Sequence, residues 1–170
     1  MEVRLRAMTL NDLGAVIEWS RDEVFCRANG WPVGRTADMI TEHWRGILLH
    51  PAQDFLRLGV EAGGRLVGFA DLAHIRDGRA SLGIAIGDRR LWGQGVGIGA
   101  ARLMLAQAFD GLGLRSVRAE VHETNLFSLA LIRGLGFRPA GAAPEPDMYE
   151  GAPVQILHFA LDAARFGGAT

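Results

Sequence analysis

The chain of 170 residues contains one cysteine, one tyrosine and no lysine, since its 18 basic residues are all arginine. A single cysteine, Cys26, can form no internal disulfide and leaves no thiolate cluster for a metal ion. Without lysine the chain cannot carry the Gly-Lys-Ser/Thr motif of a Walker loop. The sequence therefore excludes a disulfide framework and a P-loop, and it indicates no metal cofactor.

Strong charge of one sign and long apolar runs are also lacking. The formal net charge is -1 at pH 7, whereas proteins that grip nucleic acid or an anionic membrane need a basic surface. No apolar run approaches the ~20 residues of a transmembrane helix, and Met1–Arg6 does not resemble the apolar part of a secretory signal. We therefore expect a cytoplasmic protein that binds neither nucleic acid nor membrane. The length favours a single domain over residues 1–170.

The hydrophobic pattern of the first half predicts a strand, two helices and a three-stranded meander. Thr9 is a candidate N-cap for a helix over 11–21, and Thr36 for a helix that ends at Leu49. Residues 22–35 are predicted to be a loop. The dipeptides Gly63-Gly64 and Asp77-Gly78 are typical of tight hairpin turns. The predicted strands of this half cover residues 3–7, 55–61, 66–74 and 80–86.

The second half predicts helices that alternate with strands. A glycine-rich loop over 93–99 precedes a helix to about Asp110, and a second helix covers Asn125 to Leu135. The predicted strands are Ser116–His122 and two extended pieces joined around Gly151, near 147–149 and 154–161. The order is β-α-α-β-β-β-α-β-α-β-β, an α/β (α+β) pattern in which one crossover makes strand 116–122 parallel to strand 80–86.

Residues 92–100 read Trp-Gly-Gln-Gly-Val-Gly-Ile-Gly-Ala. Glycine at the start of a helix costs about 1 kcal/mol per residue relative to alanine, and close approach of the backbone to a ligand usually offsets that cost. The free N–H groups of a helix N-terminus bind phosphate oxygens well. The loop therefore favours a pyrophosphate-bearing ligand; the alternative is a glycine-rich turn packed under a strand.

The same loop matches the dinucleotide fingerprint G-x-G-x-x-A through Gly95, Gly97 and Ala100, and Glu120 lies at the expected distance beyond it. In a Rossmann fold, however, the turn follows its strand almost at once. Here residues 88–94 intervene, and the preceding strand belongs to a meander. The context therefore disfavours a dinucleotide-binding fold.

Four segments occur together at consistent spacing: Leu82–Gly87, the loop that begins at Trp92, Asn125 with Ser128, and Leu135-Gly136-Phe137. In this combination they resemble the GNAT superfamily of N-acetyltransferases, and more narrowly its branch of Rim-type ribosomal-protein and spermidine acetyltransferases. The resemblance extends from residue 5 to about residue 161. It implies a mixed, mostly antiparallel, splayed sheet flanked by helices.

The resemblance implies acetyl-CoA as co-substrate, bound in a cleft between two splayed strands. It assigns the pantetheine arm and the acetyl carbonyl to the strand backbone of Ile84 and Ile86. It places Asn125 at the pantetheine amides and Ser128 near the thiolate leaving group. Backbone N–H groups of five residues would hold the pyrophosphate: Gln94, Gly95, Val96, Gly97 and Ile98.

The resemblance also implies direct attack of a neutral amine on the thioester in a ternary complex. Many relatives use a glutamate before the loop and a tyrosine before Leu-Gly-Phe, but Ser81 and Ile132 stand at those positions. Ser128 is therefore the candidate acid, although it could be an ordinary helix-surface hydroxyl. The candidate bases, acting directly or through water, are Asp71, His74, Glu120 and His122. Alternatively His122 is structural, and the two acids face solvent.

The resemblance places the acceptor groove between the first two helices, their loop and the C-terminal hairpin. Trp19, Trp31 and Asp22 in that region would suit a cationic amine; alternatively the tryptophans are core and the acids cap helices. We expect an N-acetyltransferase that acts on a small-molecule amine or a protein N-terminus, and a homodimer is one option for its assembly. The alternative function is a non-catalytic acyl-CoA-binding sensor or scaffold.

Overall fold

The computed structural model describes residues 1–167, which form nine strands and six α-helices. The strands are β1 (Val3–Arg6), β2 (Leu56–Ala62), β3 (Arg65–Arg76), β4 (Arg79–Ile86), β5 (Ser116–His122), β6 (Arg138–Ala142), β7 (Asp147–Tyr149), β8 (Ala152–Val154) and β9 (Ile156–Asp162). The helices are α1 (Leu13–Ser20), α2 (Glu23–Ala28), α3 (Ala37–Leu49), α4 (Val96–Ala106), α5 (Leu126–Gly134) and α6 (Ala163–Gly167). A π-helical turn, Gln107–Gly111, extends α4.

Seven strands form one sheet in the order β1-β2-β3-β4-β5-β9-β6, and β7 and β8 form a separate hairpin. Every pairing in the large sheet is antiparallel except that of β4 with β5. This single parallel pairing follows from the crossover through α4, because parallel neighbours cannot be joined by a tight turn. The mixed, mostly antiparallel sheet predicted from the sequence is therefore confirmed.

Helices cover the two faces of the sheet over different strands. One face packs against α4 and α5 through a core that includes Met104, Leu105 and Val117. The other face packs against α1, α2 and α3 through a smaller core that includes Trp19, Trp44 and Phe69. We call this second side the α1–α3 face. Both cores meet at β3 and β4, so these strands are held from both sides.

Several local predictions are confirmed by the hydrogen bonds that begin or end each element. Thr9 and Asp12 form a capping box at a 3-10 turn that leads into α1, and the hydroxyl of Thr36 accepts the Met39 N–H at the start of α3. Gly63 and Gly64 both have positive φ, as the two-residue turn between β2 and β3 requires. The meander and the strand Ser116–His122 lie where they were predicted.

Three predictions about secondary structure were wrong. Residues 23–28 form α2 rather than loop, because the Asp22 carboxylate caps the helix by accepting two backbone N–H groups. The predicted extended piece over 154–161 is divided between β8, which pairs with β7, and β9, which belongs to the large sheet. Strand β6 was missed, because all five of its residues are exposed and no hydrophobic alternation marks it.

We expect Gly87→Ala to destabilise the fold by about 1–3 kcal/mol, because a Cβ at this position would lie 2.2 Å from the buried ring of Trp19. The matched control is Gly46→Ala within α3, where a Cβ meets nothing within 4 Å. That change should stabilise the protein by about 0.5–1 kcal/mol. Thermal unfolding of both variants measures the difference, and equal effects would contradict the packing of Trp19 against β4.

Candidate functional site

The parallel pairing between β4 and β5 covers only the first part of each strand. The last paired residues are Ser81 and Arg118. Beyond this point β4 stays paired with β3 as far as Ile86, and β5 stays paired with β9 as far as His122. The two strands therefore diverge and leave a cleft in the sheet, which we call the fork, with its apex at Ser81 and Arg118.

The N-terminus of α4 supplies free backbone N–H groups beyond the end of β4. Gly95 caps this helix in the left-handed conformation, with φ 83°, and Gly93 has φ 73°. Within residues 1–167, five successive or nearly successive amides of this segment have no hydrogen-bond acceptor: Gly93, Gly95, Val96, Gly97 and Ile98. Convergent free amides at a helix N-terminus are suited to an anion.

This set differs from the five predicted amides at two positions. The Gln94 amide donates to the Leu91 carbonyl at 3.2 Å, so it is already used inside the protein. Gly93, which the sequence did not single out, supplies a free amide instead. Its positive φ could have been anticipated from the density of glycine in the loop.

Side chains fasten this loop to β4. The indole Nε1 of Trp92 donates to the carbonyl oxygen of Ile86 at 2.7 Å, and the Gln94 side-chain amide donates to the Arg90 carbonyl at 2.6 Å. The Asp88 carboxylate accepts the Arg90 N–H as well as its guanidinium. The free amides are thus held at a fixed place relative to the fork.

Ile84 and Ile86 direct their side chains into the core beneath α4. Past Ser81 the β4 edge that faces β5 has no strand partner, so alternate residues between Leu82 and Ile86 turn backbone N–H and C=O groups to the fork. These residues can therefore offer backbone N–H and C=O groups to a ligand. The exception is the Ile86 carbonyl, which already accepts the hydrogen bond from Trp92.

Asn125 and Ser128 lie at the start of α5, the helix that follows the end of β5. The Asn125 Oδ1 accepts the Ser128 N–H at 3.1 Å, whereas its side-chain NH₂ and the Ser128 hydroxyl donate to nothing within residues 1–167. A Cβ placed on Gly97 would lie 3.3 Å from Leu131 of α5. The start of α4 therefore packs against the C-terminal half of α5. Asn125 and Ser128 instead follow the end of β5, so the two sets of unused donors lie beyond the open ends of β4 and β5.

Glu120 and His122 project from β5, on the side opposite its core-facing residues. The Glu120 side chain is 65% exposed, and its Oε1 lies 3.7 Å from the Nε2 of His158. His122 Nε2 lies 3.0 Å from the Asp147 carboxylate, and its ring meets that of Tyr149 edge-on at 5.5 Å. His122 therefore attaches the β7–β8 hairpin to β5, a contact that the sequence did not reveal.

Asp71 does not face solvent. Its carboxylate accepts two hydrogen bonds from Arg57, at 2.7 and 2.6 Å, and both side chains are 14% exposed. Burial raises the pKa of Asp71, although the Arg57 guanidinium opposes the rise. His74, another candidate base, is instead exposed on an irregular part of β3 with φ 53°.

The candidate acceptor residues are not presented together. Trp19 is 7% exposed and packs among core aromatic rings, so the structure places it in the core rather than in a groove. Asp22 caps α2 and pairs with Arg89, and hydrogen bonding from that guanidinium lowers the pKa of the carboxyl. Trp31 is half-buried and stacks at 6.1 Å on Phe69, which leaves it as the partly accessible member of the three.

Two further findings concern metal and membrane. Within residues 1–167, no three histidine, cysteine, aspartate or glutamate side chains converge as a set of metal ligands. Over the same residues, none of the helices combines the length and the apolar character needed to cross a bilayer.

Comparison with known proteins gives a family and a fold. A family model described as an acetyltransferase (GNAT) domain matches residues 2–138. The spermidine N-acetyltransferase from Vibrio cholerae, solved with CoA and spermine, is 20% identical with a TM-score of 0.85, over 96% of this chain and 97% of that chain. A chimera of the Vibrio cholerae enzyme SpeG with hSSAT is 18% identical with a TM-score of 0.84, over 98% of each chain. At these identities the likeness shows the fold alone.

We expect Gly95→Val to weaken anion binding at α4 about tenfold, because a β-branched residue at φ 83° costs about 1–2 kcal/mol and turns the adjacent amides. The matched control is Gly113→Val. Gly113 also has positive φ and open space around it, but it lies beyond the other end of α4. Calorimetric titration with CoA measures both variants. Equal affinity in the Gly95 variant and the parent would contradict the assignment of the anion site.

Proposed function

Because the chain belongs to the GNAT acetyltransferase family and is an N-acetyltransferase, we propose that it binds acetyl-CoA in the fork and acetylates a primary amine. The amine belongs to a small molecule or to a protein N-terminus. The observation that carries this proposal is a set of five backbone amides beyond the end of β4 that have no acceptor within residues 1–167: Gly93, Gly95, Val96, Gly97 and Ile98. A pyrophosphate has several oxygens that must exchange water for donors, and a helix N-terminus provides such donors without reorganisation.

The pantetheine arm would lie between the diverging strands. There it can take the place of a missing strand and bond to the unpaired edge of β4 near Ile84. The unused NH₂ of Asn125 is suited to a pantetheine carbonyl, because its Oδ1 is held by the Ser128 N–H and the amide orientation is thereby fixed. Gln94 would then contribute by holding the shape of the loop, because its backbone N–H already donates to the Leu91 carbonyl.

The transfer itself needs a neutral amine close to the thioester and a proton for the departing thiolate. Fixing both reactants in one cleft removes much of the entropic barrier. The Ser128 hydroxyl, which donates to nothing within the described residues, is the proposed proton donor to sulfur. Glu120 and His122 are candidate bases on the β5 side, each already in contact with another ionisable group.

The chemical class that we propose for the acceptor is an amine. The Vibrio cholerae neighbour was solved with spermine, a polyamine, which supports an amine acceptor. The partly accessible Trp31 next to Trp44 and Phe69 would contact the apolar part of such a molecule or the first side chain of a peptide. A cytoplasmic location and a homodimer stay predictions.

The proposal is tested by calorimetric titration with acetyl-CoA, followed by thiol release against small amines, spermine included, and peptides that begin with Ala or Ser. We expect acetyl-CoA to bind and one acceptor class to release CoA. Absence of binding would contradict the proposal. Binding without release from any acceptor would favour the acyl-CoA-binding alternative. Gly97 is unsuitable for a blocking substitution, because a large side chain there would also separate α4 from α5.

Ser128→Ala should lower kcat by roughly 10²-fold, the lower range for loss of a general acid, while the affinity for acetyl-CoA stays unchanged. The backbone N–H of residue 128 remains to bond Asn125, so the start of α5 should be preserved. The control is Ser20→Ala, since Ser20 is buried in α1 and bonds only to a backbone carbonyl there. Full turnover in the Ser128 variant would remove this residue as the acid.

A further inference from the structure

The apex of the fork has a carboxylate beside it on the α1–α3 face. Asp71 on β3 is directly opposite Gly83 on β4, and Gly83 is the second residue past the last β4–β5 pair. A Cβ on Gly83 would lie 3.6 Å from the Asp71 Cβ and 4.0 Å from its Oδ2. Since Gly83 has no side chain, nothing from β4 stands between the Asp71 carboxylate and the apex.

Away from Gly83, Asp71 is held by Arg57 and by the aromatic rings around that arginine. Arg57 binds both carboxylate oxygens from β2, and its guanidinium lies over two aromatic rings, 4.5 Å from Trp44 and 4.3 Å from Phe69. Arg57 is the charged group that acts on Asp71 within residues 1–167. The carboxylate is therefore held in one orientation, with lone pairs left over on the side of Gly83.

The other candidate bases lack this combination. Glu120 is mostly exposed, and within residues 1–167 its carboxylate has one ionic contact, with His158 at 3.7 Å. His122 lies at the far end of β5 and is paired with Asp147. His74 is exposed on the irregular part of β3. Of the four candidate bases, Asp71 is the one that lies near the apex, is buried and is held in a fixed orientation.

We propose that Asp71 is the general base of the transfer and takes over the work of the glutamate that is absent at position 81, with Arg57 as its positioning residue. This inference rests on the proposed function. The acceptor arrives as an ammonium ion, and its proton passes to Asp71, directly or through one water. The amine lone pair then forms the C–N bond, and the C–S bond breaks. Ser128 gives its proton to the thiolate of CoA and recovers the second proton of the former ammonium from the new amide nitrogen, directly or through water. Asp71 later releases its proton to water.

The test is the pH profile of kcat/KM for Asp71→Asn, with acetyl-CoA and the acceptor identified for the parent protein. We expect a loss of 10²–10⁴-fold near pH 7 with unchanged affinity for acetyl-CoA. The loss should shrink about tenfold per pH unit as the acceptor amine loses its own proton. A merely structural defect would lower affinity and thermal stability without recovery at high pH, and that result would overturn the proposal.

Two further variants keep the result interpretable. Asp12→Asn is the matched control, because Asp12 also forms a two-pronged ion pair, with Arg6 of the edge strand β1. It should cost stability and leave kcat/KM unchanged. Arg57→Met removes the cation that opposes protonation of Asp71, so the acid limb of the profile should move to higher pH. An unmoved limb, or a larger loss in Glu120→Gln than in Asp71→Asn, would overturn the assignment. If the parent binds acetyl-CoA but transfers to no amine, the proposed function fails instead.

Discussion

The early end of pairing between β4 and β5 is the constraint on which the site depends. Only three residue pairs join these strands, the last at Ser81 and Arg118. A parallel pair that continued to the end of both strands would satisfy its own backbone groups and leave no room for a ligand. Each strand is nevertheless held in place, because β4 pairs with β3 as far as Ile86, β5 pairs with β9 as far as His122, and α4 and α5 cover both.

The glycine-rich loop, like the diverging strands, leaves backbone groups available to a ligand, but it does so within a few successive residues. Its glycines reach backbone conformations that other residues adopt only with strain, and the resulting loop leaves five amides with no acceptor in the part of the chain that the structure describes. Such donors are costly when they are buried and unpaired, but they remain inexpensive where solvent or an anion can reach them. Trp92 and Gln94 compensate by tying the loop to β4 and to the preceding turn.

Much of the fold and the location of the glycine-rich loop could be predicted from the sequence, because turn residues and caps act locally. Gly63-Gly64, Thr36 and Asn125 each begin or end an element as predicted. The Arg57–Asp71 pair could not be predicted. Counted back from the turn at Gly63-Gly64, a regular hairpin would place Arg57 opposite Ala70. A register shift between Val60 and Glu61 moves the pairing by one residue and brings Asp71 onto the face of Arg57.

The structural cations of this protein are guanidinium groups: Arg6 with Asp12, Arg57 with Asp71, Arg89 with Asp22. A guanidinium stays protonated at any pH at which the fold survives, so it has no nucleophilic lone pair. A lysine in the same place could lose its proton and become a primary amine. For a protein that handles an activated acyl group, the ion pairs that hold its sheet together are therefore chemically inert toward its own co-substrate. Because the 170 residues contain no lysine, none of their side chains is a primary amine that the activated acyl group could modify.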